Sequence, residues 1–203
     1  MAEFWFRYRR NRAAVLGLGI LFTILIMAAT AHLFYPEDPF RLVGRPLSGP
    51  LENGFLLGSD SLGRDVASGI VHGAKTSLLI GLIATLVSVF IGIFFGAFAG
   101  YFGGRVDDLL MRITEIFQTI PSFIFAILLV AIMKPSIVSI VIAIAVVSWP
   151  GVARLVRGEF LSLKNREFVQ ACHTLGMSDL RVMIKEILPN CLSPIIVIGS
   201  LMV

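Results

Sequence analysis

The sequence predicts an all-α fold, a polytopic bundle of transmembrane helices. Hydrophobic residues make up 57% of the 203 residues and charged residues 15%, whereas charged residues are roughly 25% of a soluble domain. The apolar residues gather in five runs, and a helix needs about 20 of them to cross a ~30 Å hydrocarbon core. The predicted spans are residues 13–35, 77–101, 116–133, 135–153 and 187–203. Because the last run is short for a full span, we expect a truncated fifth span, with more protein beyond Val203.

The first span follows a basic segment, residues 1–12. A basic start, an apolar run and the small residues Ala29-Thr30-Ala31 also have the outline of a cleavable signal peptide. The run continues to Tyr35, however, and is longer than the roughly 7 to 15 residues of a signal-peptide core. An uncleaved first transmembrane helix is therefore favoured.

The distribution of basic residues predicts the orientation. If the N-terminus is cytoplasmic, twelve of the 17 Lys and Arg residues lie in cytoplasmic segments and five in external ones. Basic residues in short loops resist translocation, so residues 36–76 are predicted to be external and residues 164–189 cytoplasmic. The net charge of +4 then reflects cytoplasmic loops, and nucleic-acid binding is not predicted.

The external segment, residues 36–76, is rich in Pro and Gly in its first part. Ser59 or Asp60 could cap a short helix that leads into the second span, because both residue types accept hydrogen bonds from the first backbone N–H groups of a helix. A surface loop and a docking surface for an external partner both fit this composition.

The second span carries small residues at every third or fourth position, which places them along one helix face. Small residues allow two helices to approach closely in lipid, where dispersion forces hold them together. Helix packing is therefore favoured over a pore lining, with Gly92, Gly96 and Gly100 as predicted packing positions. The whole set is Gly81, Ala84, Ser88, Gly92, Gly96 and Gly100.

The third span carries polar residues near its start. Glu115 and Gln118 are three positions apart and lie on one side of a helix, and Pro121 removes a backbone donor and permits a bend. Ionisable groups at membrane depth usually face a bundle interior or a water-filled path, so these three residues could line a translocation pathway or gate. Alternatively, Glu115 lies at the cytoplasmic headgroup level and pairs with Arg112 one turn earlier.

The fourth span ends near Trp149, which suits a membrane interface, and is followed by Arg154 and Arg157, which suit the cytoplasmic side. Pro150 and Gly151 are expected to kink or break this helix, because proline removes a backbone hydrogen bond.

Residues 164–189 are polar, although helix connections are commonly only about two to eight residues long. The pattern predicts a first helix from Lys164 to Leu175 that stops at Gly176, a residue able to adopt the left-handed conformation after a helix end. Ser178 is a predicted N-cap for a second short helix, which Leu188-Pro189 then closes. A charged helix pair of this size is predicted to bind a partner outside the bilayer.

No catalytic residue or metal site is predicted. His-Glu-x-x-His and Gly-x-Ser-x-Gly motifs are absent from the sequence. His32, His72 and His173 lie in separate regions, and Cys172 and Cys191 lack the Cys-x-x-Cys spacing of metal sites. If the protein moves a solute uphill, the nucleotide chemistry belongs to another subunit.

The polar stretch resembles the EAA loop of permease subunits in bacterial ABC importers of the dipeptide, oligopeptide and nickel class. That motif reads Glu-Ala-Ala-x3-Gly-x9-Ile-x-Leu-Pro, and Gln170-Ala171-Cys172, Gly176 and Leu188-Pro189 stand at its landmarks. Gln and Cys replace its first and third letters, and Glu186 stands at the place of its Ile, one position before Ile187. We name residues 164–189 the EAA-like loop.

The resemblance extends through nearly the whole chain and is to the second, C-type permease of that class. Several separate motifs in the same order argue against chance. They are Phe6-Arg-Tyr-Arg-Arg-Asn-Arg12, Leu57-Gly-Ser-Asp-Ser-Leu-Gly-Arg-Asp-Val66, Gly100-Tyr-Phe-Gly-Gly104, Trp149-Pro-Gly151 and Ala153-Arg-Leu-Val-Arg-Gly158.

The resemblance implies a type I ABC importer permease fold in the bacterial inner membrane, with a sixth span beyond Val203. It also implies a complex with a second homologous permease subunit, two cytoplasmic ATPase subunits and an external solute-binding protein. ATP and magnesium would bind to the ATPase, and this chain would hold no cofactor. The residues implied to couple to the ATPase are Glu167, Gln170, Ala171, Gly176, Leu188 and Pro189.

Two other functions stay open, an ATP-independent channel or ion-coupled carrier, and a membrane scaffold. Apart from Glu115, the spans lack the paired ionisable residues that proton relays use, which disfavours a carrier. Selectivity in these importers lies largely with the external binding protein, so peptides, nickel chelates and other small solutes all remain candidates.

Overall fold

A computed structural model describes residues 8–203 and shows an all-α chain, as predicted. No β-strand occurs among the described residues, only an isolated bridge between Ser59 and Asp65. The helices are α1 (Arg12–Phe34), α2 (Val66–Phe102), α3 (Gly104–Gln118), α4 (Ser122–Ile132), α5 (Ile137–Leu163), α6 (Glu167–Thr174), α7 (Asp179–Val182) and α8 (Leu188–Met202), with a π-turn at Met183–Ile187. Residues 1–7, which contain much of the predicted basic segment, lie outside the described residues.

Four stretches of the described chain are long and apolar enough to cross a membrane. They are α1, α2, α5 and the stretch Asp179–Met202, which combines α7, the π-turn and α8. Helices α3 and α4 make a fifth span if they count together, although they are bent by 77° at their junction. The prediction that Pro121 permits a bend is thereby confirmed, since Pro121 directly precedes α4.

The chain divides into two compact units, Met1–Leu79 and Ile80–Val203. In the first unit, the side chain of Asn11 caps α1 by accepting a hydrogen bond from the N–H of Ala14 at 3.3 Å. Most side chains of α1 are exposed, as expected of an apolar helix that contacts lipid.

The predicted caps Ser59 and Asp60 serve the loop between α1 and α2, residues 35–65, instead of a helix. The Ser59 hydroxyl accepts from the N–H of Ser48 at 3.0 Å and donates to the carbonyl of Arg45 at 2.5 Å. The Asp60 carboxylate accepts from the N–H of Arg64 at 2.8 Å. The cap prediction is therefore wrong, because both side chains are used by backbone groups within the loop.

Asp65 is the residue that caps α2. Its carboxylate accepts from the N–H of Ala67 at 2.8 Å, and the helix begins at Val66. No separate short helix precedes the second span, because α2 runs 37 residues without interruption. Residues 66–76 contain no proline, so a helix started at the cap propagates directly into the apolar run.

The core of the second unit lies where α2, α5 and the C-terminal elements meet. It joins residues from six elements, so a single apolar cluster holds the EAA-like loop against the spans. Its buried members are Ala97, Val152, Val156, Phe160, Val169, Val182, Met183, Ile187, Cys191 and Ile195.

A helix break is contradicted at two prolines, whereas the alternative of a kink at Pro150 stays a prediction. Helix α5 passes through Pro150 and ends at Leu163, because the buried side chains around the proline keep both halves packed in the core. Pro189 does not close a helix either, since it stands in the first turn of α8. The preceding π-turn, in which the N–H of Leu188 donates to the carbonyl of Met183, continues the helix up to the proline.

Candidate functional site

The EAA-like loop is built around a turn at Gly176, whose φ is +77°. The N–H of Gly176 donates to the carbonyl of His173 at 2.9 Å, and the N–H of Met177 donates to the carbonyl of Cys172 at 3.1 Å. These two bonds form a Schellman motif, which places a left-handed residue, usually glycine, just after a helix. The predicted helix end at Gly176 is confirmed.

The start of α6 and the capping of α7, the two helices beside this turn, differ from the prediction. Helix α6 begins at Glu167, three residues after the predicted start at Lys164, because residues 164–166 form the turn that follows α5. Ser178 occupies the N-cap position of α7, as predicted, but its side chain makes no capping hydrogen bond.

Helices α6 and α7 each have one buried side and one exposed side. Val169 of α6 and Val182 of α7 have no exposed surface and belong to the core. Around the turn, Phe168 is 39% exposed, Leu180 is 55% exposed and Leu175 is 81% exposed. Large apolar side chains that stay exposed together are typical of surfaces that bind another protein.

The predicted coupling residues fall into two groups. Glu167, Gln170, Ala171 and Gly176 are exposed on α6 and its turn. Leu188 and Pro189 belong to α8, where Leu188 packs against the core and Pro189 is exposed. The structure thus places the first four on one short segment and the last two in a different helix.

The predicted packing glycines of α2 all face α5. A Cβ atom added to Gly100 would lie 2.6 Å from the Cβ of Phe160, and one added to Gly96 would overlap the carbonyl of Ala153. Gly92 stands equally close, with 2.5 Å to the Cβ of Val152. The two helices could not reach this separation with larger residues at these positions.

A polar cleft of about 410 Å³ lies between α3 and α5. Glu115 lines it, whereas Gln118, at the end of α3, and Pro121 do not. Within residues 8–203, no ion pair joins Glu115 to Arg112. The ionisable lining groups are Asp107, Asp108, Arg112, Glu115, Arg154 and Arg157, three carboxylates and three guanidinium groups, so the cleft offers charges of both signs.

Comparison with known proteins places this architecture in a family. Residues 92–202 match the family described as binding-protein-dependent transport system inner membrane component. The chain belongs to this family. Residues 1–48 also match the N-terminal TM domain of oligopeptide transport permease C. The prediction of an ABC importer permease with a polytopic helical fold is confirmed.

Named relatives of this permease are similar along nearly the whole chain. It is 40% identical to the di/tripeptide transport system permease protein DppC of Pseudomonas aeruginosa, over 99% of this chain and 68% of the relative. It is 42% identical to the dipeptide transport system permease protein DppC of Escherichia coli K12, over 99% and 69%. With the DppC of Bacillus subtilis it shares 38% identity, over 95% of this chain but 60% of the relative.

Sequence reasoning missed one residue of this permease, Tyr101. Its hydroxyl donates to the carboxylate of Asp179 at 2.7 Å and lies 3.3 Å from Nε2 of His173. The only indication of Tyr101 in the sequence is that it lies within the Gly100–Gly104 motif. The partners stand 72 and 78 positions away in the chain, so no local pattern connects them.

Proposed function

We propose that this permease forms half of the translocation pathway of an ATP-driven importer for peptides or a related small solute, and that the EAA-like loop couples it to a cytoplasmic ATPase. The relatives named above are di/tripeptide and dipeptide permeases, which favours peptides. The main observation in favour of the coupling role is that α6 and α7 each have one buried side and one exposed side. Their buried sides join the core, and the apolar side chains around Gly176 remain exposed.

The proposed complex contains a second homologous permease subunit, two ATPase subunits that bind ATP and magnesium, and an external solute-binding protein. In this arrangement the N-terminus and the EAA-like loop are cytoplasmic. A partner that binds the exposed side of α6 can displace the spans, because the buried side of α6 packs in a core that includes residues of α2 and α5. Close-packed interiors transmit such displacements with little compression.

The solute pathway is proposed to include the polar cleft and the bend beside it. Glu115 supplies a carboxylate to the cleft. Gln118 and Pro121 flank the 77° bend between α3 and α4, where a change of angle would widen or narrow a path.

The turn at Gly176 gives the test. A Gly176→Val variant would be assembled with its partner subunits in lipid vesicles, and ATP hydrolysis and uptake of a radiolabelled dipeptide would be measured together. Valine is strained at a positive φ by roughly 1–2 kcal/mol, so the turn should deform. We expect hydrolysis to continue while uptake falls about tenfold.

Two matched variants control this test. Gly176→Asn should retain uptake, because asparagine tolerates the left-handed conformation. Gly158→Val should also retain it, since Gly158 is exposed in α5 and, beyond its own helix backbone, no atom of residues 8–203 lies within 4 Å of an added Cβ. Full uptake by Gly176→Val would contradict the coupling role.

A further inference from the structure

Tyr101 is the point at which both short helices of the EAA-like loop are tied to α2. Within residues 8–203, the side-chain hydrogen bonds that join α6 or α7 to α2 or α5 both end on its hydroxyl. The Asp179 carboxylate can only accept, so the hydroxyl proton is donated to it. In the tautomer that carries its proton on Nε2, His173 donates to the same Tyr101 oxygen.

These two partners stand on opposite sides of the turn. His173 lies three residues before Gly176 and belongs to α6, whereas Asp179 lies three residues after it and begins α7. Nδ1 of His173 is also 4.0 Å from the Asp179 carboxylate. One hydroxyl therefore fixes the positions of α6 and α7 together, and with them the angle at the turn.

The other contacts of Tyr101 anchor it to the spans. Its ring packs against the buried core, and its carbonyl accepts a hydrogen bond from Nζ of Lys164, just after α5, at 3.4 Å. The neighbouring Gly100 allows α2 to touch Phe160 of α5. Tyr101 thus connects the turn with the closely packed pair of α2 and α5.

We infer that Tyr101 is a positioning residue that holds α6 and α7 at a fixed angle to α2, so that a displacement of the EAA-like loop reaches the α2–α5 pair. This inference rests on the proposed coupling function. The partners are partly solvent-exposed, with side-chain exposures of 45% for His173 and 56% for Asp179. Loss of the hydroxyl should therefore loosen the loop without unfolding the chain.

The test compares Tyr101→Phe, which keeps the ring and removes the hydroxyl, with the wild type in the complete transporter in lipid vesicles. We expect about fivefold more ATP hydrolysed per radiolabelled dipeptide taken up, the order of effect of one lost hydrogen bond to a charged group at a partly exposed site. Asp179→Asn keeps an acceptor oxygen and should stay within about twofold of the wild type. Tyr35→Phe is the matched control, because no hydrogen bond of the Tyr35 hydroxyl occurs among the described residues.

A second measurement does not depend on the solute. Spin labels on Ser178→Cys and Gly158→Cys, both exposed positions, would report the distance between the loop and α5 in the assembled complex. Cys172→Ala and Cys191→Ala would remove the native thiols. We expect Tyr101→Phe to broaden this distance distribution and Tyr35→Phe to leave it unchanged.

The outcomes separate this inference from the proposed function. Wild-type stoichiometry and a wild-type distance distribution in Tyr101→Phe would overturn the role of Tyr101. If Gly176→Val still uncouples hydrolysis from uptake in that case, the coupling function stands. If neither variant changes the stoichiometry, both proposals fail.

Discussion

Arg157 of α5 and Asp107 of α3 form a bidentate ion pair, with 2.5 Å from Nε to Oδ1 and 2.6 Å from Nη2 to Oδ2. The Asp107 side chain is 13% exposed and that of Arg157 35%. Two parallel bonds fix the orientation as well as the separation of the partners. The pair therefore holds together the two helices that line the polar cleft.

Removing the charge of Asp107 should destabilise the permease. Asp107→Asn leaves the guanidinium of Arg157 without its counter-charge, which costs about 2 kcal/mol once the larger value for a fully buried pair is discounted for the exposure of Arg157. Thermal unfolding of the purified protein would measure this. Asp108→Asn is the matched control, because Asp108 is exposed and makes no ion pair within residues 8–203. Equal melting temperatures for the two variants would contradict a stabilising role of the pair.

Gly96→Leu should impair folding and assembly. A side chain at Gly96 would meet the carbonyl of Ala153 and the Cβ of Val156, and overpacking of this kind costs roughly 3 kcal/mol. Assembly on a native gel and thermal stability would both be measured. Gly73→Leu, in the same helix but with no described atom outside its own helix backbone within 4 Å of an added Cβ, should have little effect. Unchanged assembly of Gly96→Leu would count against this face as an interface.

The orientation of the chain can be tested by labelling. Leu175, which is 81% exposed, would be replaced as Leu175→Cys in a background without native cysteines. A membrane-impermeant maleimide should label it only after the cells are permeabilised. Leu47→Cys, in the segment predicted to be external and 77% exposed, should react in intact cells. Labelling of position 175 in intact cells would refute the orientation and, with it, the proposed ATPase contact.

The loop between α1 and α2, residues 35–65, should lose order in acid. The hydrogen bond from the N–H of Arg64 is the main reason why the pKa of Asp60 lies below its ordinary value of 3.8. A lowered folded-state pKa stabilises the loop above about pH 4, and this contribution disappears as the pH falls through the folded-state value.

Hydrogen exchange of residues 58–65 between pH 6 and pH 3 would measure this effect after correction for intrinsic exchange rates. The Asp60→Asn variant should show weaker protection at pH 6 and no additional loss in acid. A loss in acid of equal size in both proteins would exclude Asp60 as its cause.

Much of the fold was predictable because a helix that crosses a membrane requires a long run of apolar residues, and such runs are visible in the sequence. Four of the five predicted spans correspond to long apolar helical stretches, because the length and hydropathy of a run indicate whether it can cross the bilayer. The predicted third span, 116–133, is wrong as a single helix, because the bend between α3 and α4 falls inside it. Gly176 was also predictable, because a glycine just after a helical pattern is a local indication of a left-handed helix end.

The elements were predicted wrongly where the local conformational preference of a residue differs from what tertiary packing requires. Pro150 has an intrinsic tendency to end a helix, yet α5 continues because the buried surface around it outweighs one lost hydrogen bond. Ser59 and Asp60 are residue types that cap helices, but their side chains accept hydrogen bonds from backbone N–H groups of the loop itself.

The sequence by itself determined the membrane-spanning class, the approximate positions of most spans and the turn at Gly176, because hydropathy, helix periodicity and the conformational freedom of glycine act over a few residues. Only the tertiary structure decided that Tyr101 meets His173 and Asp179, and that Arg157 meets Asp107. Those partners are 50 or more positions apart. These contacts form only when α2, α3 and α5 pack at the right separation. That separation depends on side chains from different helices, so no single segment of the sequence determines it.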